Sequence, residues 1–268
     1  MRRCAPTEPL PLLFQMQVQA KLTSSQIILP LRTRQRLEMN CQIVHDSIHR
    51  REGWTLSYLL EIEGATAGFG SIAIGGPWKD KPTVFEFYVA PPYRGQAFDL
   101  FEAFLAASEA RYFEVQSNDT LLAVMLHAYG RELASEKIVF ADEVTTALPA
   151  NGAVLRAVTP EVETRAALER RQGGGEWTLE LAGATVATGG ILFHYNRPYG
   201  DIYMEVAEPF RRRGFGSYIV QELKRACYEL GAVPAARCNP ANIASRQTLQ
   251  KAGFVPFAHI LNAVIPAP

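Results

Sequence analysis

The spacing of hydrophobic positions along the chain changes repeatedly between two periods. Short runs with apolar residues at every second position end at glycine or proline and predict strands, whereas longer segments with helical spacing predict helices. In the second half of the chain, strands are predicted near 153–158, 176–182, 185–194, 200–207, 234–238 and 255–262, and helices near 159–170, 214–230 and 242–252. This order predicts an α/β fold with a mixed, mostly antiparallel sheet flanked by helices.

The first half of the chain shows the same order of elements. A Trp-Thr-Leu strand that begins at Trp54 recurs at Trp177, and a leucine shortly before a glycine recurs as Leu126 and Leu249. Both pairs are 123 positions apart (177 − 54 and 249 − 126), and the aromatic residue before an arginine recurs after 117 positions (210 − 93); an ordered series of three such matches indicates two copies of one unit. We therefore predict a poorly ordered extension over 1–15, a first domain over 16–148 and a second domain over 149–268.

A loop in the second copy has the composition of an anion-binding site. The strand near 200–207 leads into Arg-Arg-Arg-Gly-Phe-Gly-Ser and then into a helix. Glycines let the backbone approach an anion, a helix N-terminus presents free N–H groups, and arginines donate charge-assisted hydrogen bonds. A dinucleotide fingerprint would need a third glycine where Ile219 stands, and the Gly-Lys-Ser/Thr of a Walker loop is absent. The loop predicts a pyrophosphate site, although the arginines alone would also suit a solvated helix start or an RNA-phosphate patch.

Two motifs resemble those of the GNAT superfamily of acyl-CoA-dependent N-acyltransferases. Arg211-x-x-Gly214-x-Gly216 is similar to its CoA-binding motif, and the segment from Asn242 to Phe254 is similar to its last-helix motif. The resemblance implies two tandem GNAT-like domains, acetyl-CoA as co-substrate and no metal. The cofactor-binding residues that it implies are Val206, Arg211, Arg212, Arg213, Gly214, Phe215, Gly216, Ser217, Asn242 and Ser245.

Some of these residues have a simpler alternative role. The backbone N–H of Val206 is the expected donor to the thioester carbonyl, as in an oxyanion hole. Asn242 is equally suited to be a helix N-cap, and Ser245 to be a hydroxyl on a helix surface.

The first copy is predicted to be degenerate, without a CoA site. Ala97 stands in the place of Gly214, and Asp99 stands in the place of Gly216. Both permissive glycines are lost, and a carboxylate would repel a pyrophosphate in a partly desolvated pocket. Our hypothesis is that this copy is a scaffold that supplies one wall of an acceptor pocket at the domain interface.

The candidate catalytic residues lie on the strand that enters the loop. Asp201, Tyr203 and Glu205 alternate onto one face of this strand. We predict Glu205 as the general base, directly or through water, and Tyr203 as a second catalytic residue. The alternatives are a salt-bridged carboxylate and a packing aromatic residue. Leu249 stands where many GNAT enzymes have a tyrosine general acid, so the leaving thiolate would need water, Tyr203 or another tyrosine as its proton donor.

The composition of the chain limits the kinds of partner and environment that we expect for the protein. Lys plus Arg and Asp plus Glu both total 27, so no overall charge favours nucleic acid. No run approaches the roughly 18 apolar residues of a membrane span. Four cysteines without a CxxC pair favour reduced thiols in the cytoplasm. His45 and His49 resemble a zinc-protease motif only loosely, so no metal site is predicted.

The predicted function is transfer of an acetyl group from acetyl-CoA to a primary amine of a small molecule or peptide, by direct attack in a ternary complex. The alternative is a non-catalytic acyl-CoA-binding or regulatory module, which the leucine at position 249 and the degenerate first copy would suit. The repeat is compatible with a monomer that is a pseudo-dimer of domains; the sequence does not specify the oligomeric state.

Overall fold

The computed structural model describes residues 16–40, 42, 46–158 and 175–267 of the 268-residue chain. The predicted extension over 1–15, the predicted helix near 159–170 and His45 lie outside these described residues.

In the described residues, the first copy begins with a strand and ends with a long strand, and it contains four α-helices. Its elements are β1 (Val18–Thr23), α1 (Ser25–Met39), α2 (Asp46–His49), β2 (Thr55–Ile62), β3 (Ala65–Ala73), β4 (Thr83–Val89), α3 (Ala97–Ser108), β5 (Tyr112–Gln116), α4 (Thr120–Tyr129) and β6 (Arg131–Asp142). Short 3-10 helices cover Gly76–Trp78 and Pro91–Gln96.

The described part of the second copy begins with one strand and then repeats the order that the first copy shows from β2 onward. Its elements are β7 (Val154–Ala157), β8 (Gly175–Leu181), β9 (Ala184–Leu192), β10 (Tyr199–Val206), a 3-10 helix (Glu208–Phe210), α5 (Phe215–Glu229), β11 (Val233–Cys238), α6 (Ile243–Lys251) and β12 (Phe254–Val264). The six strands predicted for this half and its helices near 214–230 and 242–252 are confirmed. Their signals were strong because several of the alternating runs end beside a glycine, a proline or a capping residue, as at Gly183 and Asn239.

All strands join one mixed sheet, and the two copies exchange their last strands. The order is β1-β2-β3-β4-β5-β12-β6-β11-β10-β9-β8-β7. The last strand of the second copy, β12, lies beside β5 of the first, and the last strand of the first copy, β6, lies beside β11 of the second. The two exchanged strands pair with each other at the centre. The sheet is thus continuous across the predicted division at 148/149.

Each copy packs its own hydrophobic core on one face of this sheet. Phe101 and Phe104 of α3 pack with Phe87 and Phe113 of the first copy, and all four side chains are buried. In the second copy, apolar residues of α5 and α6 pack on β9, β10 and β11. On the opposite face of the sheet, α1 covers the first copy through Ile28, which packs in a separate cluster. The face with α3 to α6 therefore carries both main cores.

Candidate functional site

A gap opens between two neighbouring strands of the second copy. The parallel strands β10 and β11 pair only over Tyr199–Asp201 and Val233–Ala235, and then separate. On its other side, β10 stays paired with β9 as far as Val206. The second half of β10 therefore has a strand neighbour on one side only.

The alternation of hydrogen-bonded residues along β10 determines which of its backbone groups point into this gap. The N–H of Ala207 donates to the Val186 carbonyl at 3.0 Å. Hydrogen-bonded and non-hydrogen-bonded pairs alternate in an antiparallel ladder, so the N–H and C=O groups of Val206 and Met204 point away from β9. The gap therefore presents backbone donors to a ligand that lies along β10 like an added strand.

The loop after β10 is shaped by residues with left-handed backbone conformation. Arg212 has φ 60° and Gly214 has φ 87°. The Nε of Arg211 donates to the Val206 carbonyl at 3.1 Å, which holds the loop against the strand end. Gly214 is the N-cap of α5 and has no side chain to cap the helix. The first N–H groups of α5 are therefore left for a ligand or water, in the geometry that binds anions.

A cavity of about 600 Å³ lies where this loop, β10 and α6 meet. Eight of the ten predicted cofactor-binding residues line it, namely Val206, Arg211, Arg212, Gly214, Gly216, Ser217, Asn242 and Ser245. Gln247, Thr248 and Lys251 of α6 also line it, and the sequence analysis missed them. Their spacing from Asn242 along one helix was the only available signal.

Gly216 lies close to α6 and to the end of β10. A Cβ atom added there would lie 3.2 Å from Cγ2 of Thr248 and 3.3 Å from Cγ2 of Val206. A side chain would thus crowd the floor of the cavity. A pyrophosphate suits this combination of arginines, free helix N–H groups and glycines. The residues present therefore fit the phosphate end of an acyl-CoA.

Two predicted cofactor-binding residues lie outside the cavity lining. The guanidinium of Arg213 lies over the rings of Phe210 and Phe215, at 5.5 and 5.4 Å from their centroids. Phe215 is 3% exposed and belongs to the core of the second copy. These residues shape the loop by packing.

Asn242 and Ser245 have local partners as well as a place at the cavity. The side-chain oxygen of Asn242 accepts from the backbone N–H of Ser245 at 3.0 Å, which makes Asn242 the N-cap of α6. Burial raises the pKa of the Cys238 thiol, and its hydrogen bond with Ser245 offsets part of that effect. The helix-cap alternative for Asn242 is therefore realised, and a ligand contact through the rest of the side chain stays a prediction.

The predicted catalytic residues differ in their surroundings. Glu205 is exposed and lines the cavity, whereas Tyr203, 40% exposed, is not among the lining residues. Asp201 on the same strand is buried, with Arg237 at 3.5 Å and His194 at 3.4 Å. Leu249 is buried in the core, so α6 offers no hydroxyl at that position. Among these carboxylates, Glu205 is the one exposed to the cavity.

The first copy closes the corresponding place. Arg94 repeats the anchor of Arg211, because its Nε donates to the Val89 carbonyl at 3.1 Å. Beyond it, a 3-10 helix continues directly into α3 at Ala97, which has φ −60°. Tyr88, the residue before Val89, is fully buried and donates to Glu38 at 2.5 Å. The open loop and the exposed carboxylate of the second copy therefore have no counterpart here.

The first copy also touches the second beside its strand β10. The Ser47 amide donates to the His194 carbonyl at 3.3 Å, and the Tyr199 hydroxyl donates to Asn40 Oδ1 at 2.8 Å. His194 and Tyr199 flank the loop before β10. The first copy thus forms a wall beside the second copy on the face of the sheet opposite α5.

Fold and cavity together define a two-copy α/β protein with a glycine- and arginine-rich loop beside a splayed strand pair. Residues 146–254 match the model of the acetyltransferase (GNAT) family. The second copy is therefore similar to the GNAT family, whose members typically use acyl-CoA and transfer acyl groups.

Solved structures share the fold over nearly the whole chain. A GNAT-family acetyltransferase from Colwellia psychrerythraea is 14% identical, with a TM-score of 0.66 over 92% of this chain and 100% of its own. A GCN5-related N-acetyltransferase from Sphaerobacter thermophilus is 15% identical, with a TM-score of 0.58 over 94% and 97%. A tandem GNAT protein from the clavulanic acid biosynthesis pathway is 13% identical, with a TM-score of 0.58 over 94% and 100%. No curated protein matches the sequence. The predicted tandem GNAT fold is confirmed.

Among the residues that the structure describes, no group of three or more His, Cys, Asp or Glu side chains is arranged to hold a metal ion. In the same part of the chain, no helix is long and apolar enough to cross a membrane.

Proposed function

We propose that the protein is an acetyl-CoA-dependent N-acetyltransferase that acts on a primary amine of a small molecule or peptide. The observation that carries this proposal is the cavity at the gap between β10 and β11, where an arginine-rich loop, the free N-terminus of α5 and inward-pointing backbone groups of β10 meet. An elongated ligand with a pyrophosphate at one end matches this combination.

Acetyl-CoA, when bound, supplies the activated acyl group. Arg211 and Arg212 together with the N–H groups at the start of α5 would hold the pyrophosphate. The N–H groups of Met204 and Val206 would bind the pantetheine arm and polarise the acyl carbonyl. Asn242, Ser245 and Thr248 of α6 would line the other side of the arm.

Glu205 would take the proton from the attacking amine, directly or through one water molecule. Its exposure at the cavity allows this contact, in contrast to Asp201, which faces Arg237 and His194. Because Leu249 has no hydroxyl, the departing thiol group would receive its proton from water or from Tyr203. Direct attack in a ternary complex needs no covalent bond to the enzyme.

A non-catalytic acyl-CoA-binding module is the second candidate. The buried Leu249 and the closed first copy favour it. The two functions are separated by measuring thiol release from acetyl-CoA across a panel of primary amines. Release that depends on an amine supports the transferase, and tight binding of acetyl-CoA without release from any amine supports the module.

A further inference from the structure

A second cavity, of about 610 Å³, lies on the face of the sheet opposite α5 and α6. Its floor comes from the central strands of both copies. Phe113 of β5 packs in the core with α3, so its neighbours Tyr112 and Glu114 face this second cavity. Ala236 of β11 packs with α5, so Arg237 faces the second cavity as well. We call this cavity the interdomain cleft.

The interdomain cleft begins beside the gap between β10 and β11. Asp201 and Ala235 form the last pair of these two strands. Two residues farther along, Tyr203 and Arg237 flank the opening, and Arg237 also lines the cleft. A ligand in the cleft can therefore reach the gap from the face opposite α5.

The far end of the cleft is walled by the first copy. The rings of Trp54 and Trp78 meet edge to face, with their centroids 6.5 Å apart. The indole N–H of Trp78 donates to a Glu114 carboxylate oxygen at 3.1 Å, which orients that carboxylate in the floor. From β11 to β5 the floor spans three strand spacings, or about 14 Å.

The lining of the cleft contains three cations, Arg51, Lys81 and Arg237, and three carboxylates, Glu114, Glu132 and Glu136; all three carboxylates belong to the floor strands β5 and β6. Arg237 has Asp201 at 3.5 Å and lies over the Tyr195 ring at 5.0 Å, so its charge is already matched. Farther along the floor, Glu136 accepts from the Asn262 amide at 3.2 Å and has Lys137 Nζ at 3.4 Å, and its side chain is 41% exposed. Glu114 follows on β5. On the wall, the Arg51 guanidinium is stacked on Trp54 at 4.3 Å. Carboxylates beside indole rings form a setting that binds ammonium groups.

We propose that the interdomain cleft holds the acceptor, and that this acceptor is an elongated amine with a second cationic group. Its reacting amine lies at the gap, and its second cation lies over Glu136 and Glu114. In the transfer a new N–C bond to the acetyl group forms and the C–S bond breaks. The amine proton goes to Glu205, and the thiolate takes one proton from water. This assignment rests on the proposed N-acetyltransferase function.

The test compares linear diamines of increasing length with monoamines of the same length, using acetyl-CoA turnover by the full chain. The cleft predicts that KM falls once the second amine can reach Glu136 and Glu114, while monoamines show no such fall. Glu114→Gln and Glu136→Gln should each raise KM for long diamines by about fivefold, as expected for a partly exposed ion pair, with kcat unchanged. Glu52→Gln is the matched control, because Glu52 is exposed and outside the cleft.

The outcomes distinguish a failure of the cleft assignment from a failure of the transferase function. Equal KM values for diamines and monoamines, or equal effects of Glu114→Gln on both, would overturn the cleft assignment and leave the transferase function intact. If no amine is acetylated, the transferase function fails, and the cleft is then tested by binding alone. A long diamine that raises the melting temperature of the wild-type protein but not of Glu114→Gln supports the cleft, and no shift with any diamine overturns it.

Discussion

Replacing Gly216 with aspartate tests the placement of the phosphate loop. The new Cβ would lie 3.2 Å from Thr248 and 3.3 Å from Val206, so neighbours must yield by only a few tenths of an ångström. The carboxylate would then point into the cavity between the loop and α6. This change recreates the feature of the first copy, where Asp99 occupies the equivalent position in the first turn of α3.

The expected loss of affinity follows from charge repulsion. Two unit negative charges about 5 Å apart repel by about 3 kcal/mol at an effective dielectric constant of about 20. A loss of about 3 kcal/mol weakens acetyl-CoA binding by roughly two orders of magnitude. Gly216→Asn is the matched control, because it introduces nearly the same volume without charge.

Calorimetric titration of acetyl-CoA into each variant measures this effect. We expect Gly216→Asn to lose less affinity than Gly216→Asp, and the difference between the two to shrink as salt screens the repulsion. Thermal unfolding checks that both variants fold. Wild-type affinity in Gly216→Asp would show that the pyrophosphate lies elsewhere, and equal losses in both variants would replace the electrostatic explanation by a steric one.

Three further predictions test other parts of the molecule. Glu205→Gln should lower turnover and remove the acidic limb of the pH–rate profile; an unaltered profile would exclude Glu205 as the base. Burial raises the pKa of Asp119 to about 6 from 3.8, so its contribution to stability is full below the unfolded value and is lost as pH rises through about 6. Asp119→Asn, which copies the equivalent cap Asn242, should flatten the urea-measured stability between these pH values, and an unchanged slope would contradict the assignment. A fragment of residues 150–268 should not fold as an active monomer, because β12 loses both strand neighbours; native circular dichroism with full activity would refute this.

Much of the second copy could be predicted from local pattern. The strands and helices were predictable because alternating apolar runs end at glycine, proline or capping residues. The glycine-containing turn before α5 was predictable because Gly214 adopts a left-handed conformation just before a helix. The glycine at position 216 likewise reflects a close approach that leaves little room for a side chain.

The roles of the individual arginines in this loop could not be predicted from the sequence. Arg212 and Arg213 are adjacent residues of the same type. Arg212 nevertheless lines the cavity, whereas Arg213 lies over aromatic rings. Which arginine faces a ligand depends on the backbone turn at Arg212, whose φ of 60° is unusual for a residue with a side chain. Nothing in a run of three arginines specifies that turn.

The sequence by itself determined that the chain contains two related units and that one of them keeps the two glycines where α5 begins, because repeats and glycine positions are local signals. Only the tertiary structure decided that β6 and β12 change places, since strand pairing depends on contacts between residues 94 (235 − 141) to 152 (264 − 112) positions apart. That exchange builds the interdomain cleft from strands of both copies and places Glu114 and Arg237 on one floor.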